Sequence, residues 1–176
     1  VAIVSLPVWE RISRTKDKRI AYIAGIAFWA VVQLVLVTLN TGAPLPLIFA
    51  LAGLAGVGVG AAHVLPWAII PDAIEWDELN TGERHEGTFY SLVTLMQKIA
   101  SSLAIPAAGF VLEFSGYVPN SPAQPATAVL GIRILTGPVP AVLLVAGIVF
   151  AAVYPLDRRR HADVLRQLRE RRAASS

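Results

Sequence analysis

A chain of 176 residues with 55% hydrophobic and only 15% charged residues, a mean hydropathy of +0.60 and a net charge of +3 lacks the polar surface that a soluble core needs; ordinary soluble domains carry roughly a quarter charged residues. The deficit is concentrated, because the 52 residues between Arg19 and Asp72 contain no Lys, Arg, Asp or Glu. This excludes a soluble globular enzyme and a disordered chain, and the lack of any cysteine removes disulfides, thiolate metal sites and a thiol nucleophile.

In chain order, residues 1–8 read as the end of a truncated transmembrane helix, because the chain begins at Val1 inside an apolar stretch with neither Met nor a signal sequence. The sequence is therefore expected to be a piece of a longer protein. Residues 9–19 form a basic loop. A spanning helix needs about 20 apolar residues at about 1.5 Å rise each, and residues 20–39 provide the first, stopping at Asn40-Thr41-Gly42-Ala43-Pro44. Residues 45–70 provide the second. It is rich in small residues, with Gly56 and Gly60 as GxxxG and Gly58 with Ala62 as a second pair, suited to static packing or to a sliding helix face. His63 within it reads as a packing or interhelical hydrogen-bond residue before a proton relay, and Trp67 and Tyr154 as members of an aromatic belt.

Residues 72–87 follow as an acidic loop with six carboxylates and one arginine, Arg84, expected to pair locally. Residues 88–112 form the third span, kinked at Pro106. Residues 134–156 form the fourth. In the tail, residues 157–176, Asp157 is a candidate N-cap, and Val164, Leu165 and Leu168 give a small apolar stripe. Its arginines could suit nucleic acid, but it follows a span directly and has no aromatic for base stacking. It reads as a juxtamembrane helix on anionic lipid, and Lys18 and Arg19 read the same way, since that attraction is worth about 1 kcal/mol per residue.

Orientation follows from the loops. Thirteen of the 15 Lys and Arg lie in residues 10–19, in residues 157–172 or at Arg84, so that side is cytoplasmic.

Two constellations carry chemistry. Lys98 sits near the middle of its span, where an ammonium costs at least about 2.5–3.5 kcal/mol. Ser91, Thr94, Lys98 and Ser101 follow i, i+3, i+7, i+10, a single helical stripe with Gln97 on the adjoining face. Such a stripe faces a bundle interior or a wet cavity; Lys98 is then either a cavity-lining functional group or half of a structural pair with a carboxylate elsewhere. The second constellation is the acidic segment. Its acids suit a gate that pairs with basic residues of another bundle, a solvated loop, or a metal site from Asp72, Glu75, His85 and Glu86.

Pro71-Asp72-Ala73-Ile74-Glu75-Trp76, Thr81-Gly82-Glu83-Arg84-His85-Glu86-Gly87 and Tyr90-Ser91 closely resemble the glycoside–pentoside–hexuronide:cation symporter family, to which the melibiose carrier belongs, within the major facilitator superfamily. Pro7-x-Trp9, Lys18-Arg19, Gly116-Tyr117-Val118-Pro119-Asn120 and Tyr154-Pro155-Leu156 match in the same order. The resemblance implies an all-α membrane protein, with residues 20–156 as four helices like helices nine to twelve of a twelve-helix carrier. It implies Na+ or H+ symport of a sugar or glycoside by alternating access, no cofactor beyond that ion, and, as partners, an amino-terminal half, a small-molecule solute and membrane lipids, with no nucleic acid. It makes Lys98 a cation-coupling residue, with Thr94, Ser91, Ser101 and Gln97 around it, and Asp72, Glu75, Arg84 and Glu86 a cytoplasmic gate. Trp76-Asp77 and Leu79-Asn80 replace the family's usual Tyr-Gly and Trp-Lys, and the same branch includes carriers of lysophospholipid-like solutes. The expected location is a bacterial inner membrane. The alternative from another class is a four-span assembly subunit without transport; an enzyme is disfavoured, with no nucleophile beside a base.

Overall fold

The computed structural model describes residues 2–15, 17–39 and 42–174, without the side chain of Arg14. Val1 of the expected truncated helix, Lys16 of the basic loop, Asn40-Thr41 of the breaker run and the last two residues of the tail lie outside the described residues. Seven helices and no strand are found among the described residues: α1 (Ala2–Thr15), α2 (Lys18–Thr38), α3 (Leu45–Thr81), α4 (Glu86–Phe114), α5 (Ala126–Thr136), α6 (Pro138–Val153) and α7 (Arg158–Ala174). Four stretches are long and apolar enough to cross a membrane, namely Lys18–Thr38, Leu45–Thr81, Glu86–Phe114 and Ala126–Val153. The all-α architecture with four spans is as the sequence implies.

The boundaries differ in three places, each with a local cause. Helix α1 runs through most of the expected basic loop, to Thr15. Trp9 anchors it, its indole N–H donating to the Val57 carbonyl at 2.8 Å, and it packs with Ala21, Ala61 and Leu65 in a buried cluster. Asp17 then starts α2, accepting the Arg19 backbone N–H at 2.9 Å.

Helix α3 does not stop at Ile70. It continues through Pro66 and Pro71 for 37 residues, to a Gly82 cap at φ 80° whose N–H bonds the Glu78 carbonyl. At 1.5 Å per residue this is about 55 Å, against a hydrocarbon core of about 30 Å. Most of the acidic loop is thus the far end of a helix, which buries Ile74 and Leu79. Small residues let it approach its neighbours. A Cβ at Gly58 would strike Trp29 of α2, and one at Gly60 would strike Ser5 of α1, so the small-residue stripe serves two close interfaces.

The fourth span starts earlier than expected, at Ala126, and is broken at Gly137 between α5 and α6. Val37 leaves no room there for a Cβ. Pro138 and Pro140 have no N–H for the carbonyls of Ile134 and Thr136. Gln33 of α2 donates its side-chain amide to the Thr136 carbonyl, replacing the donor that Pro140 cannot supply. Replacing Gln33 with Leu is expected to lower the unfolding free energy by about 1–3 kcal/mol, read as a lower midpoint for thermal unfolding in detergent, whereas Gln33→Glu should do worse and Gln33→Asn should recover little.

Helix α7 starts on Asp157, as expected, with its carboxylate accepting the Arg160 N–H at 2.8 Å; this bond holds the Asp157 carboxyl below the usual carboxylate range. The apolar stripe meets protein instead of lipid. Val164 and Leu168 bury against Leu79 of α3, which brings the tail onto the extended end of that helix.

Candidate functional site

The starts of α2 and α7, the end of α6 and the Ile69–Asp72 part of α3 converge on a cleft of about 220 Å³. Asp72 and Glu75 lie three residues apart on α3, hence on one face. Lys18 Nζ donates to both oxygens of Asp72, at 2.7 and 2.9 Å, and to the Ala68 carbonyl at 2.8 Å. His161 of α7 places Nε2 at 2.6 Å from Glu75 Oε2 and 3.5 Å from Asp72 Oδ1. Asp72 is buried, with its side chain only 13% exposed against 33% for Lys18, so the carboxylate depends on the Lys18 ammonium for its solvation. Lys18 is thus paired with the buried Asp72, and Arg19 donates to the Tyr154 carbonyl at 3.0 Å.

Tyr154, expected in an interfacial belt, turns its hydroxyl inward. That oxygen is buried without a hydrogen-bond partner among the described residues. Its pKa is pushed up to about 12, by burial first and by the charge of Asp72 second.

A second cluster lies at the α3–α4 junction. Arg84 bridges Glu86 at 2.6 Å and Glu78 at 2.9 Å, the local pairing expected of it. Arg172 of α7 also meets Glu78, at 2.6 Å. His85 contacts Asp77 at 2.7 Å and Glu83 at 3.3 Å, and the bond to Asp77 holds its imidazole above the usual pKa. Each of the six acids in residues 72–87 thus meets a basic group of this chain. The four gate residues divide into two clusters, Asp72 with Glu75 and Arg84 with Glu86. The metal set of Asp72, Glu75, His85 and Glu86 is not assembled either. The triad that converges is Asp72, Glu75 and His161, with ligand atoms within 4.8 Å of one another, and the Lys18 ammonium already neutralises Asp72 there. His161 was missed because nothing local connects it to Glu75, 86 residues away.

The third element of the site is α4, none of whose residues is buried. Ser91, Thr94 and Lys98 line one open groove with Thr88, Leu92 and Leu95, while Ser101 and Gln97 are exposed outside it. The two hydroxyls donate to their own helix, Ser91 to the Thr88 carbonyl and Thr94 to the Tyr90 carbonyl, leaving oxygen lone pairs facing outward. Lys98 is exposed and makes no hydrogen bond or ion pair among the described residues. His63 bonds the Val59 carbonyl of its own helix at 3.0 Å, and Trp67 stacks on Tyr90 across the α3–α4 angle, with ring centroids 6.1 Å apart.

Residues 1–158 match a family described as MFS/sugar transport protein. The chain is 38% identical to an uncharacterized symporter of Synechocystis sp., over 97% of the chain and 32% of that protein. It is 32% identical to the sodium-dependent lysophosphatidylcholine symporter 1-A of Danio rerio, over 95% of the chain and 31% of that protein. It is 35% identical to an uncharacterized symporter of Bacillus subtilis, over 69% of the chain and 26% of that protein. The chain spans about a third of the length of the curated relatives it matches.

Proposed function

The chain belongs to the MFS/sugar transport protein family, and from that premise we propose that it forms the carboxy-terminal part of a cation-coupled symporter working by alternating access. The observation that carries this reading is the Lys98 groove. A mid-span ammonium with no counter-charge among the described residues is tolerable only where water or an opposing carboxylate meets it. Lys98 lies twelve residues into α4, about 18 Å along the axis, near the midplane, where such carriers bind their cargo. In this reading Lys98 pairs with a carboxylate of the opposite bundle and is displaced when Na+ or H+ neutralises that group. Ser91 and Thr94 offer acceptors beside it, and Ser101 and Gln97 continue the path. Asp72, Glu75, Arg84 and Glu86 form the cytoplasmic gate, fastening α2, α4 and α7 to the end of α3.

The solute we propose is an amphiphile of lysolipid type, carried with sodium. The groove sets the Lys98 ammonium and the hydroxyl-bearing Thr88, Tyr90, Ser91 and Thr94 with Leu92 and Leu95, a lining for an anionic headgroup beside apolar surface. Sodium-dependent lysophosphatidylcholine symporters are among the similar proteins. A sugar or glycoside is the second reading, favoured by the family's description.

Full-length protein in sealed vesicles distinguishes them. An inward sodium gradient is expected to drive uptake of labelled lysophosphatidylcholine, with a labelled glycoside left outside. Glycoside uptake instead selects the second reading, a proton gradient that drives uptake corrects the ion, and no flux of either solute under either gradient rejects the carrier.

A further inference from the structure

We propose that the basic end of the bundle, in a groove separate from the Lys98 groove, holds an anionic diacyl phospholipid, with an acyl chain between α2, α3 and α6 and its phosphate against Arg19 and Arg158. An apolar groove of about 350 Å³ runs between these helices, lined by Tyr22, Ile70, Gly147 and Phe150 and ending at Arg19 and Tyr154. Arg19 and Tyr154 also line the polar cleft described above, together with Arg158. An apolar groove adjoining a polar, arginine-bearing cleft across Arg19, Ile69 and Tyr154 has the form of an amphiphile, tail first. No residue of this groove lines the Lys98 groove.

The free hydrogen-bond donors of the cleft identify the headgroup. Three carboxylates line the cleft, and each is engaged: Asp72 by Lys18, Asp17 by the N-terminus of α2, and Asp157 by the N-terminus of α7. Two guanidiniums are not. Arg19 donates to the Tyr154 carbonyl and Arg158 to the Thr15 carbonyl, at 3.0 and 2.9 Å, and neither forms an ion pair among the described residues. Each guanidinium carries five N–H donors, so most remain for an anion, and a phosphodiester accepts them in the bidentate manner that arginine favours. The buried Tyr154 hydroxyl at the junction of the two spaces is a further donor without an acceptor. Arg19 is the second residue of its span, the depth of the headgroups, where basic pockets between helices take anionic lipid. A free phosphate would leave the Phe150 groove unfilled, and a zwitterionic lipid would bring its own cation to the arginines.

The test uses full-length protein in detergent, with native mass spectrometry and thermal unfolding during titration with dioleoyl-phosphatidylglycerol. Retention of that lipid and a raised unfolding temperature are expected, with dioleoyl-phosphatidylcholine, lysophosphatidylcholine and inorganic phosphate each weaker by about tenfold or more. Arg19→Gln should lose the preference for phosphatidylglycerol. As a second variant, Gly147→Leu should fill the groove and weaken binding, while Gly147→Ala, whose Cβ would lie 3.7 Å from Ile26 and 3.8 Å from Tyr22 in ordinary contact, should bind like the parent. Equal affinity for phosphatidylcholine, an equal effect of phosphate, or unaltered phosphatidylglycerol binding in both Arg19→Gln and Gly147→Leu overturns the site. The inference stands apart from the transported solute, because binding is read without flux and the proposed solute is one of the competitors.

Discussion

Replacing Lys98 with alanine in the full-length protein is expected to abolish cation-driven accumulation of solute while leaving the yield of inserted protein unchanged. The energetic argument is differential. An ammonium at mid-span costs at least about 2.5–3.5 kcal/mol unless paired or hydrated. Within this chain nothing offsets that cost, since Lys98 is exposed on a helix with no buried residue and has no partner among the described residues. If its counter-charge is the carboxylate that also binds the coupling ion, the pair and the ion compete for one site. Removing the lysine then removes the competition, and a coupling free energy of this size corresponds to roughly a hundredfold change in equilibrium. Lys98→Arg should keep partial function, because the charge is retained while the fork is bulkier. Solute-gradient uptake in vesicles, with and without a cation gradient, makes the measurement. Cation-dependent uptake unchanged in Lys98→Ala rejects the coupling role, and loss of inserted protein in place of loss of coupling makes Lys98 a structural pair.

The parts of this molecule legible in the sequence are those set by a local pattern. The 52-residue run without formal charge yields two spans because a bilayer imposes length and apolarity together. The Ser91–Thr94–Lys98 face follows from helical periodicity and survives as one groove. The extension of α3 was hidden because Pro71 and dense acids read as an ending, whereas Ile74 and Leu79 hold the helix by burial against partners, with α7 among them. The break at Gly137 left a trace in Gly137-Pro138, but its amide donor, Gln33, lies 103 residues from Thr136. His161 and Lys18 reach their carboxylates across 86 and 54 residues. A gate read from one acidic segment therefore names the acids and misses their partners.

Those partners set the second large effect. Neutralising the two acids, as Asp72→Asn with Glu75→Gln, is expected to move the carrier toward the state open on its basic side, and Asp72→Asn should contribute the greater share. Asp72 is the more buried acid, at 13% against 22% side-chain exposure, and holds an ammonium by two hydrogen bonds where Glu75 holds one imidazole nitrogen. Breaking a buried pair by removing one partner costs about 3–5 kcal/mol, because the survivor stays desolvated. Lys18 is a third exposed, and solvent screening brings the expected loss down to about 1–3 kcal/mol. That suffices to shift a two-state equilibrium by roughly fivefold to a hundredfold. If the loss arises in the pair, adding Lys18→Gln to Asp72→Asn should cost less than the sum of the single changes. The chain contains no cysteine, so a single cysteine placed on the Lys98 groove, at Leu92, reports its access to a membrane-impermeant thiol reagent from either face without background from these residues. Labelling from the basic side should rise in Asp72→Asn and further in the double neutralisation. Identical labelling of all variants from both faces means that the network staples α2, α3 and α7 together without gating transport.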